Sequence, residues 1–239
     1  MMSPPLVAVA HGSADPRSGA TVSELLDLVR SRAPGLDVRA AFLGHAAPSV
    51  SAVLGGLSGP VVVLPLLLTA AYHSKIDLPG QLRGRSSVLY GPVLGPHPLL
   101  ISAAERRMAS AGNFDRSSTG VVLAAAGSSD SAANATIRGM AATWAATGGW
   151  HSVVPAYASA SSPGVAEATR TLLETPGVRR VVVSTYLLAP GVFADQIRDT
   201  AFAAGACAVS PALGALPEIA DVILERYVVA ADDISLQSA

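Results

Sequence analysis

Short apolar runs alternate along the chain with segments of helical periodicity. Within residues 20–33, Val22, Leu25, Leu26 and Val29 recur at helical spacing and define one apolar face. The aliphatic runs around this segment are uninterrupted, which is typical of strands buried on both faces of a parallel sheet. The pattern predicts strands over 6–10, 37–43, 60–68 and 86–91, and helices over 20–33, 48–57 and 98–112. It favours an α/β fold with a parallel sheet flanked by helices.

The same pattern begins again in the second half of the chain. Residues 119–137 repeat residues 4–22 at an offset of 115, and residues 181–195 resemble residues 61–75 at an offset of 120. The matched positions of the first pair of segments are Gly12, Ser13, Asp15, Ala20 and Thr21 with Gly127, Ser128, Asp130, Ala135 and Thr136. A period this long indicates a duplicated domain. We predict two tandem copies, residues 1–114 and 115–239, which meet within the polar segment 112–120.

Three histidines of the first half have no counterpart in the second. The positions equivalent to His11, His45 and His73 are occupied by Ala126, Ala160 and Phe193. Features of the fold survive in both halves, so a histidine that only serves folding should survive as well. We therefore predict one functional site, in the N-terminal domain, and a degenerate C-terminal copy.

These histidines all follow predicted strands. His11 comes after the first strand, Gly44 and His45 after the second, and His73 past the third. Ligands of open parallel sheets bind beyond the carboxyl ends of the strands. Neutral imidazole binds divalent Fe, Co, Ni or Zn, and near pH 7 it also accepts a proton. A metal or acid–base site around His11 and His73 is therefore predicted, whereas His97 and His151 are interpreted as structural.

Composition narrows the function further. The formal net charge is −1 with no basic patch, so neither a nucleic-acid nor an acidic membrane surface is indicated. The longest apolar run, residues 61–72, is too short to span a bilayer, and we expect a soluble cytoplasmic protein. The single cysteine, Cys207, excludes an internal disulfide and is expected to be a small buried residue. No phosphate-binding G-x-x-x-x-G-K-[ST] loop is present, which argues against ATP-driven chemistry.

Four motifs in the first half resemble one family. They are VAHGSADPR (9–17), AFLGHAAPSV (41–50), VVVLPLLLTAAYHSKIDLP (61–79) and GPVLGPHPLL (91–100). In this order they resemble the sirohydrochlorin chelatases, the small ATP-independent class II chelatases that insert cobalt or iron, and the second half resembles a degenerate copy. The resemblance implies two tandem chelatase-like domains and insertion of a divalent metal into sirohydrochlorin, on the route to sirohaem or cobalamin.

The resemblance also implies roles for individual residues. His11 and His73 match the active-site histidines of the family, which would hold the metal and take up the pyrrole protons. The substrate is rich in carboxylates, so we expect backbone groups around the two histidines to bind it. The residues assigned to substrate binding are Gly12, Ser13, Gly44, His45, Ala71 and Tyr72. No resident cofactor is expected, Fe, Co or Ni being the substrate metal, and the duplicated chain is expected to be a monomer that forms its own pseudo-dimer.

One departure from the family pattern leaves alternatives open. The family often carries a glutamate after the second strand, and here that position is Gly44, so that His45 becomes the candidate for the missing group. A non-catalytic protein that binds and delivers a metal or a tetrapyrrole therefore stays an alternative. A tetrapyrrole-modifying enzyme without chelatase activity is a further one.

Overall fold

The computed structural model describes residues 3–237, with side chains through Asp232. Each half of the chain forms a four-stranded parallel sheet, which confirms the predicted duplicated α/β fold. The elements of the first half are β1 (Leu6–Ala10), α1 (Pro16–Arg32), β2 (Val38–Phe42), α2 (Val50–Gly55), β3 (Val61–Pro65), a π-helical turn (His73–Asp77), α3 (Leu78–Gln81), β4 (Val88–Tyr90) and α4 (Pro98–Ala111). Those of the second half are a 3₁₀ turn (Arg116–Ser118), β5 (Thr119–Ala125), α5 (Ser131–Thr147), β6 (Ser152–Tyr157), α6 (Val165–Leu173), β7 (Arg180–Thr185), α7 (Val192–Ala203), β8 (Ala208–Val209) and α8 (Pro217–Gln237).

The strand order of the first sheet is β2-β1-β3-β4, and that of the second is β6-β5-β7-β8. Strands β1 and β3 are buried along their whole length, as their uninterrupted aliphatic runs predict. Helix α1 begins at Pro16, four residues before the predicted start, because the carboxylate of Asp15 caps the backbone N–H of Arg17. Strand β3 ends at Pro65, three residues before the predicted end, and its last bond to β1 runs from the N–H of Leu66 to the carbonyl of Val9 over 2.7 Å.

The described chain divides into two compact units, one of residues 3–97 and 215–237 and one of residues 98–214. This division differs from the predicted boundary at 114/115 in the placement of two helices. Helix α4 packs against β7 and β8, and its Arg107 donates from Nε to the carbonyl of Leu213 over 2.7 Å. Helix α8 packs against α1, β3 and β4, and its Tyr227 donates to the carbonyl of Pro4 over 2.8 Å. Tertiary contacts, which periodicity does not encode, decide this assignment.

The two sheets carry the same turn after their first strand. Gly12 and Gly127 have φ angles of 87° and 85°, and a β-carbon on either would overlap a backbone carbonyl oxygen, that of Gly44 or of Ser159. His45 and Ala160, also 115 positions apart, have left-handed φ angles of 58° and 54°. Backbone conformation thus repeats where the sequence repeat places it.

One prediction about the core is wrong. Cys207 is exposed, although the thiol is crowded enough for burial to raise its pKa. The preceding residue, Ala206, packs into the core of the second unit. Side chains alternate along an extended chain, so Cys207, which comes just before the edge strand β8, faces outward.

No helix within residues 3–237 combines the length and the apolar character needed to cross a bilayer.

Candidate functional site

The site lies where the strand order of the first sheet reverses. The chain passes from β1 to β2 on one side of β1, and β3 pairs with the other side. In open parallel sheets this arrangement leaves a crevice at the carboxyl ends of the two diverging strands. His11 directly follows β1, and His73 begins the π-helical turn after β3. The topology therefore brings together two histidines that are 62 positions apart.

The two imidazoles face each other through their Nε2 atoms. These atoms are 3.1 Å apart, and the rings are nearly perpendicular, at 80°. Each Nδ1 lies near an oxygen: His11 Nδ1 is 3.0 Å from the carbonyl oxygen of Gly12, and His73 Nδ1 is 3.1 Å from Oδ2 of Asp77. Both side chains are partly exposed, so a ligand can reach them.

These contacts favour the same tautomer in both rings. A carbonyl and a carboxylate can only accept, so each Nδ1 must carry the hydrogen. A neutral imidazole protonated at Nδ1 has its lone pair at Nε2. If both rings are neutral in this tautomer, no hydrogen lies between the two Nε2 atoms, which are 3.1 Å apart. Such a pair is satisfied by a shared proton or by a metal ion.

Asp77 is the site residue that sequence reasoning missed. It lies four positions after His73 and also accepts a hydrogen bond from Gln81. The hydrogen bond with His73, followed by that with Gln81, lowers the pKa of its carboxyl below the ordinary value, although partial burial opposes the shift. The internal repeat carried a signal for Asp77. At the offset of 120, His73 and Asp77 correspond to Phe193 and Ile197, so the second half lacks both polar groups.

The turn that carries His73 is hydrogen-bonded to strand β4. Its π-helical bond runs from the N–H of Leu78 to the carbonyl of His73. This geometry is rare in proteins as a whole, and where it occurs it is often at a functional site. Tyr90 of β4 donates to the carbonyl of Ser74 over 2.7 Å, and burial raises the pKa of its hydroxyl to about 12. The Tyr90 hydroxyl therefore stays a donor at neutral pH and ties the turn to the sheet.

The residues assigned to substrate binding lie around His11 and His73. They differ in which of their N–H groups and side chains are free to contact a ligand. The N–H of Gly44 donates to the carbonyl of His11, and that of Ala71 donates to Oγ of Ser74, so these two donors are already used. His45 is exposed and its ring stacks on that of His11, with centroids 6.3 Å apart and planes inclined by 24°. Tyr72 is 63% exposed beside His73, an unusual position for so large an apolar ring.

The hydroxyl of Ser13 has a structural role. It accepts a hydrogen bond from the N–H of Asp15 over 3.0 Å, and Ser128 does the same for Asp130. The shared geometry belongs to the turn, and it leaves the Ser13 hydroxyl without the base that a nucleophile requires.

Two further histidines lie outside the site. His97, directly before α4, pairs through Nε2 with Glu225 over 2.9 Å, and His151 is exposed in front of β6. Among the described residues no group of three or more histidine, cysteine or acidic side chains could hold a metal ion.

Curated relatives match part of the chain. The sirohydrochlorin ferrochelatase of Priestia megaterium is 26% identical over 145 residues, which is 58% of this chain and 54% of that protein. The sirohydrochlorin cobaltochelatase of Methanosarcina acetivorans is 27% identical over 81 residues, or 32% of this chain and 62% of that protein. The chain thus spans little more than half the length of these relatives.

Fold and family agree over nearly the whole chain. The structure of SirB from Bacillus subtilis with Fe³⁺ superimposes with a TM-score of 0.82 and 23% identity, covering 98% of both chains. The CbiX family model matches twice, over residues 5–111 and 120–230. The two matches confirm the duplication and the resemblance read from the motifs. The chain belongs to the CbiX family.

Proposed function

We propose that this protein inserts a divalent metal ion, Fe or Co, into sirohydrochlorin, with His11 and His73 as metal ligands and proton acceptors. The observation that carries the proposal is the 3.1 Å separation of the Nε2 atoms of His11 and His73 at the edge where the strand order reverses. The names of the curated relatives support the substrate class, since one is a ferrochelatase and the other a cobaltochelatase of sirohydrochlorin.

The spacing of the pair suits two adjacent ligands of one metal ion. Histidine nitrogens bind divalent metals such as zinc at about 2.0–2.1 Å, so an Nε2–Nε2 separation of 3.1 Å corresponds to an angle of about 100° at the metal. This angle lies between the octahedral and tetrahedral values. The remaining positions are open to water and then to the pyrrole nitrogens. Fe, Co and Ni all accept imidazole, so the histidines alone do not select among them.

The same two atoms can balance the protons of the reaction. When the metal enters the macrocycle, its bonds to the two Nε2 atoms break and bonds to the pyrrole nitrogens form. Two pyrrole N–H bonds break as well. Each Nε2 that the metal leaves regains its lone pair and can accept one of these protons, which then passes to water. His11 and His73 therefore act first as ligands and then as bases.

The test is insertion of each metal separately. Purified protein is mixed with sirohydrochlorin and Fe²⁺, Co²⁺ or Ni²⁺, and the absorbance change is compared with the uncatalysed rate. We expect acceleration with at least one metal, and a loss of about a hundredfold or more for His11→Ala and for His73→Ala, the usual contribution of a proton-transfer group. His151→Ala, an exposed histidine of the second unit, is the matched control. Full activity of folded His73→Ala would overturn the assignment.

A delivery protein is the second candidate, favoured by the absence of a carboxylate at Gly44. The number of turnovers separates the two functions. A carrier stops after one equivalent of metallated product, whereas a chelatase continues for many. A product whose mass changes by anything other than the exchange of two protons for one metal would instead indicate a different tetrapyrrole-modifying enzyme.

A further inference from the structure

The two copies differ at one place beside the site. In the second unit the side-chain amide of Asn134 closes the turn after β5. Its Oδ1 accepts from the N–H of Ser128 over 3.1 Å, and its Nδ2 donates to the carbonyl of Ser128 over 2.6 Å. Asn134 is buried, with 6% of its surface exposed, and the hydroxyl of Tyr157 donates to its backbone carbonyl over 3.0 Å.

The first unit has none of these closing groups. At the same offset of 115, Asn134 corresponds to Gly19 and Tyr157 corresponds to Phe42, which has no hydroxyl. Apart from its chain neighbours and the backbone of its own helix, no atom lies within 4 Å of the place that a β-carbon on Gly19 would occupy. Across the described chain, the N–H and the carbonyl of Ser13 find no hydrogen-bond partner, although the equivalent groups of Ser128 find two.

An open cavity begins at Gly19 and runs along α1. It has a volume of about 310 Å³, lies between α1 and β2, and is lined by residues that include Gly19, Val22, Phe42 and Pro48 but not Ser13. Most of its wall is apolar. Ser13 is two residues from His11, so their Cα atoms are at most about 7 Å apart. A peripheral side chain of a macrocycle bound at the histidines can therefore reach the turn at Ser13.

We propose that the backbone of Ser13 and the space over Gly19 form a subsite for one carboxylate side chain of the substrate. The amide of Asn134 shows which group fits: a planar head that accepts from the N–H and, where it carries a hydrogen, donates to the carbonyl. A carboxylate satisfies the N–H alone, and a water molecule can then satisfy the carbonyl. The inference rests on the proposed function, because it assigns the substrate of that same site.

Gly19→Asn tests the subsite by giving the first unit the amide of the second. We expect the side chain to occupy the turn, and the Kd for sirohydrochlorin, measured by fluorescence titration, to rise about tenfold or more through loss of its hydrogen bonds. Gly139→Asn is the matched control, since Gly139 is an exposed glycine of α5 with equally open space. Gly19→Ala, which adds bulk without an amide, should weaken binding less than Gly19→Asn. An equal effect of the two would overturn the proposal, as would a Kd for Gly19→Asn within about twofold of the wild-type value.

A second measurement separates this inference from the proposed function. The backbone amide resonance of Ser13 is followed in ¹⁵N-labelled protein during titration with acetamide and with acetate. A shift in the wild type with acetate that disappears in Gly19→Asn supports the subsite, and acetamide, which has the same shape without the charge, shows whether the charge contributes. If the wild type fails to bind sirohydrochlorin, the proposed function fails, and this titration still decides the subsite. No shift of Ser13 with either probe overturns it.

Discussion

The carboxylate of Asp77 accepts a hydrogen bond from Nδ1 of His73 over 3.1 Å, across about one turn of helix. Carboxylates in this position fix the tautomer and the ring orientation of a metal-binding histidine and raise its basicity. In this protein the bond leaves Nε2 of His73 facing Nε2 of His11 at 3.1 Å. Under the proposed function, Asp77 is thus a positioning residue that acts through His73.

Removal of this carboxylate should weaken metal binding. We expect Asp77→Ala to lower the affinity for Co²⁺ alone by about 10- to 100-fold, and Asp77→Asn to lose less, because its amide oxygen can still accept from Nδ1. Calorimetric titration gives the affinity, and ¹⁵N shifts of the His73 ring give the tautomer. Asp27→Ala, which removes an exposed carboxylate of α1, is the control. An unchanged tautomer and affinity in Asp77→Ala would show that the bond is incidental.

Most of the fold could be predicted from two signals in the sequence. Uninterrupted aliphatic runs identified the buried strands, and the internal repeat supplied a second view of the same domain. The comparison of copies singled out His11, His45 and His73, and the structure brings the Nε2 atoms of His11 and His73 to within 3.1 Å of each other. The comparison is informative because the two units share a backbone, so that the loss of a side chain in one copy is not explained by a change of fold.

Other features depend on geometry that the sequence pattern does not carry. The role of Asp77 depends on a helical geometry that places two side chains four positions apart on one face. The sequence repeat assigns α4 to the first copy and α8 to the second, whereas tertiary contacts place α4 against β7 and β8 and α8 against β3 and β4. The exposure of Cys207 depends on its register beside a two-residue strand, and short edge strands have weak periodicity.

Gly12 and Gly127 provide a matched pair for separating folding from function. At both positions φ is positive and a β-carbon would overlap a carbonyl oxygen. We expect Gly12→Ala and Gly127→Ala each to lower the free energy of unfolding by about 2 kcal/mol or more. Only Gly12→Ala should also lower Co²⁺ affinity, because its carbonyl holds Nδ1 of His11. Denaturant unfolding and calorimetry measure the two effects, and equal loss of metal affinity in both variants would contradict the assignment of the site to the first unit.

Glu105 joins α4 to the rest of the second unit. Its Oε1 accepts from the indole N–H groups of Trp144 and Trp150 over 2.6 and 2.8 Å, and its Oε2 pairs with Arg116 over 2.7 Å. We expect Glu105→Ala to lower the free energy of unfolding by about 2–4 kcal/mol, since it leaves several donors unpaired. Fluorescence reports the change directly, because these are the two tryptophans of the chain. The exposed Glu24→Ala should change stability by about 0.5 kcal/mol or less, and a similar value for Glu105→Ala would show that the cluster is dispensable.

Asp115 should contribute to stability in a pH-dependent way. The hydroxyl of Ser118, and then that of Ser117, donates to its carboxylate and lowers its pKa below the ordinary value. A lowered pKa in the folded state stabilises the protein above the unfolded value of about 4, and this contribution is lost as the pH falls through the folded value. The stability difference between wild type and Asp115→Asn should therefore be constant from pH 7 to 5 and shrink below about pH 4. Denaturant unfolding at several pH values measures it, and a difference independent of pH would contradict the prediction.

His45 is the candidate for the group that Gly44 lacks. Its ring stacks on His11, and Ala160 adopts the equivalent backbone conformation, so His45→Ala should remove the imidazole while preserving the turn. We expect Co²⁺ affinity and the insertion rate to fall about tenfold, as for other groups that support a metal ligand. His151→Ala is the control. An unchanged rate would remove His45 from the site.

Gly44→Glu tests the same idea from the other direction. No atom lies within 4 Å of a β-carbon at this position, and its φ is not in the left-handed region, so a glutamate should fit without disturbing the turn. If His45 substitutes for a carboxylate, Gly44→Glu combined with His45→Ala should bind Co²⁺ more tightly than His45→Ala alone, because a carboxylate is a competent metal ligand. If the double variant binds Co²⁺ no more tightly than His45→Ala, position 44 does not face the metal. The metal site would then consist of His11 and His73, with Asp77 as the hydrogen-bond partner of His73.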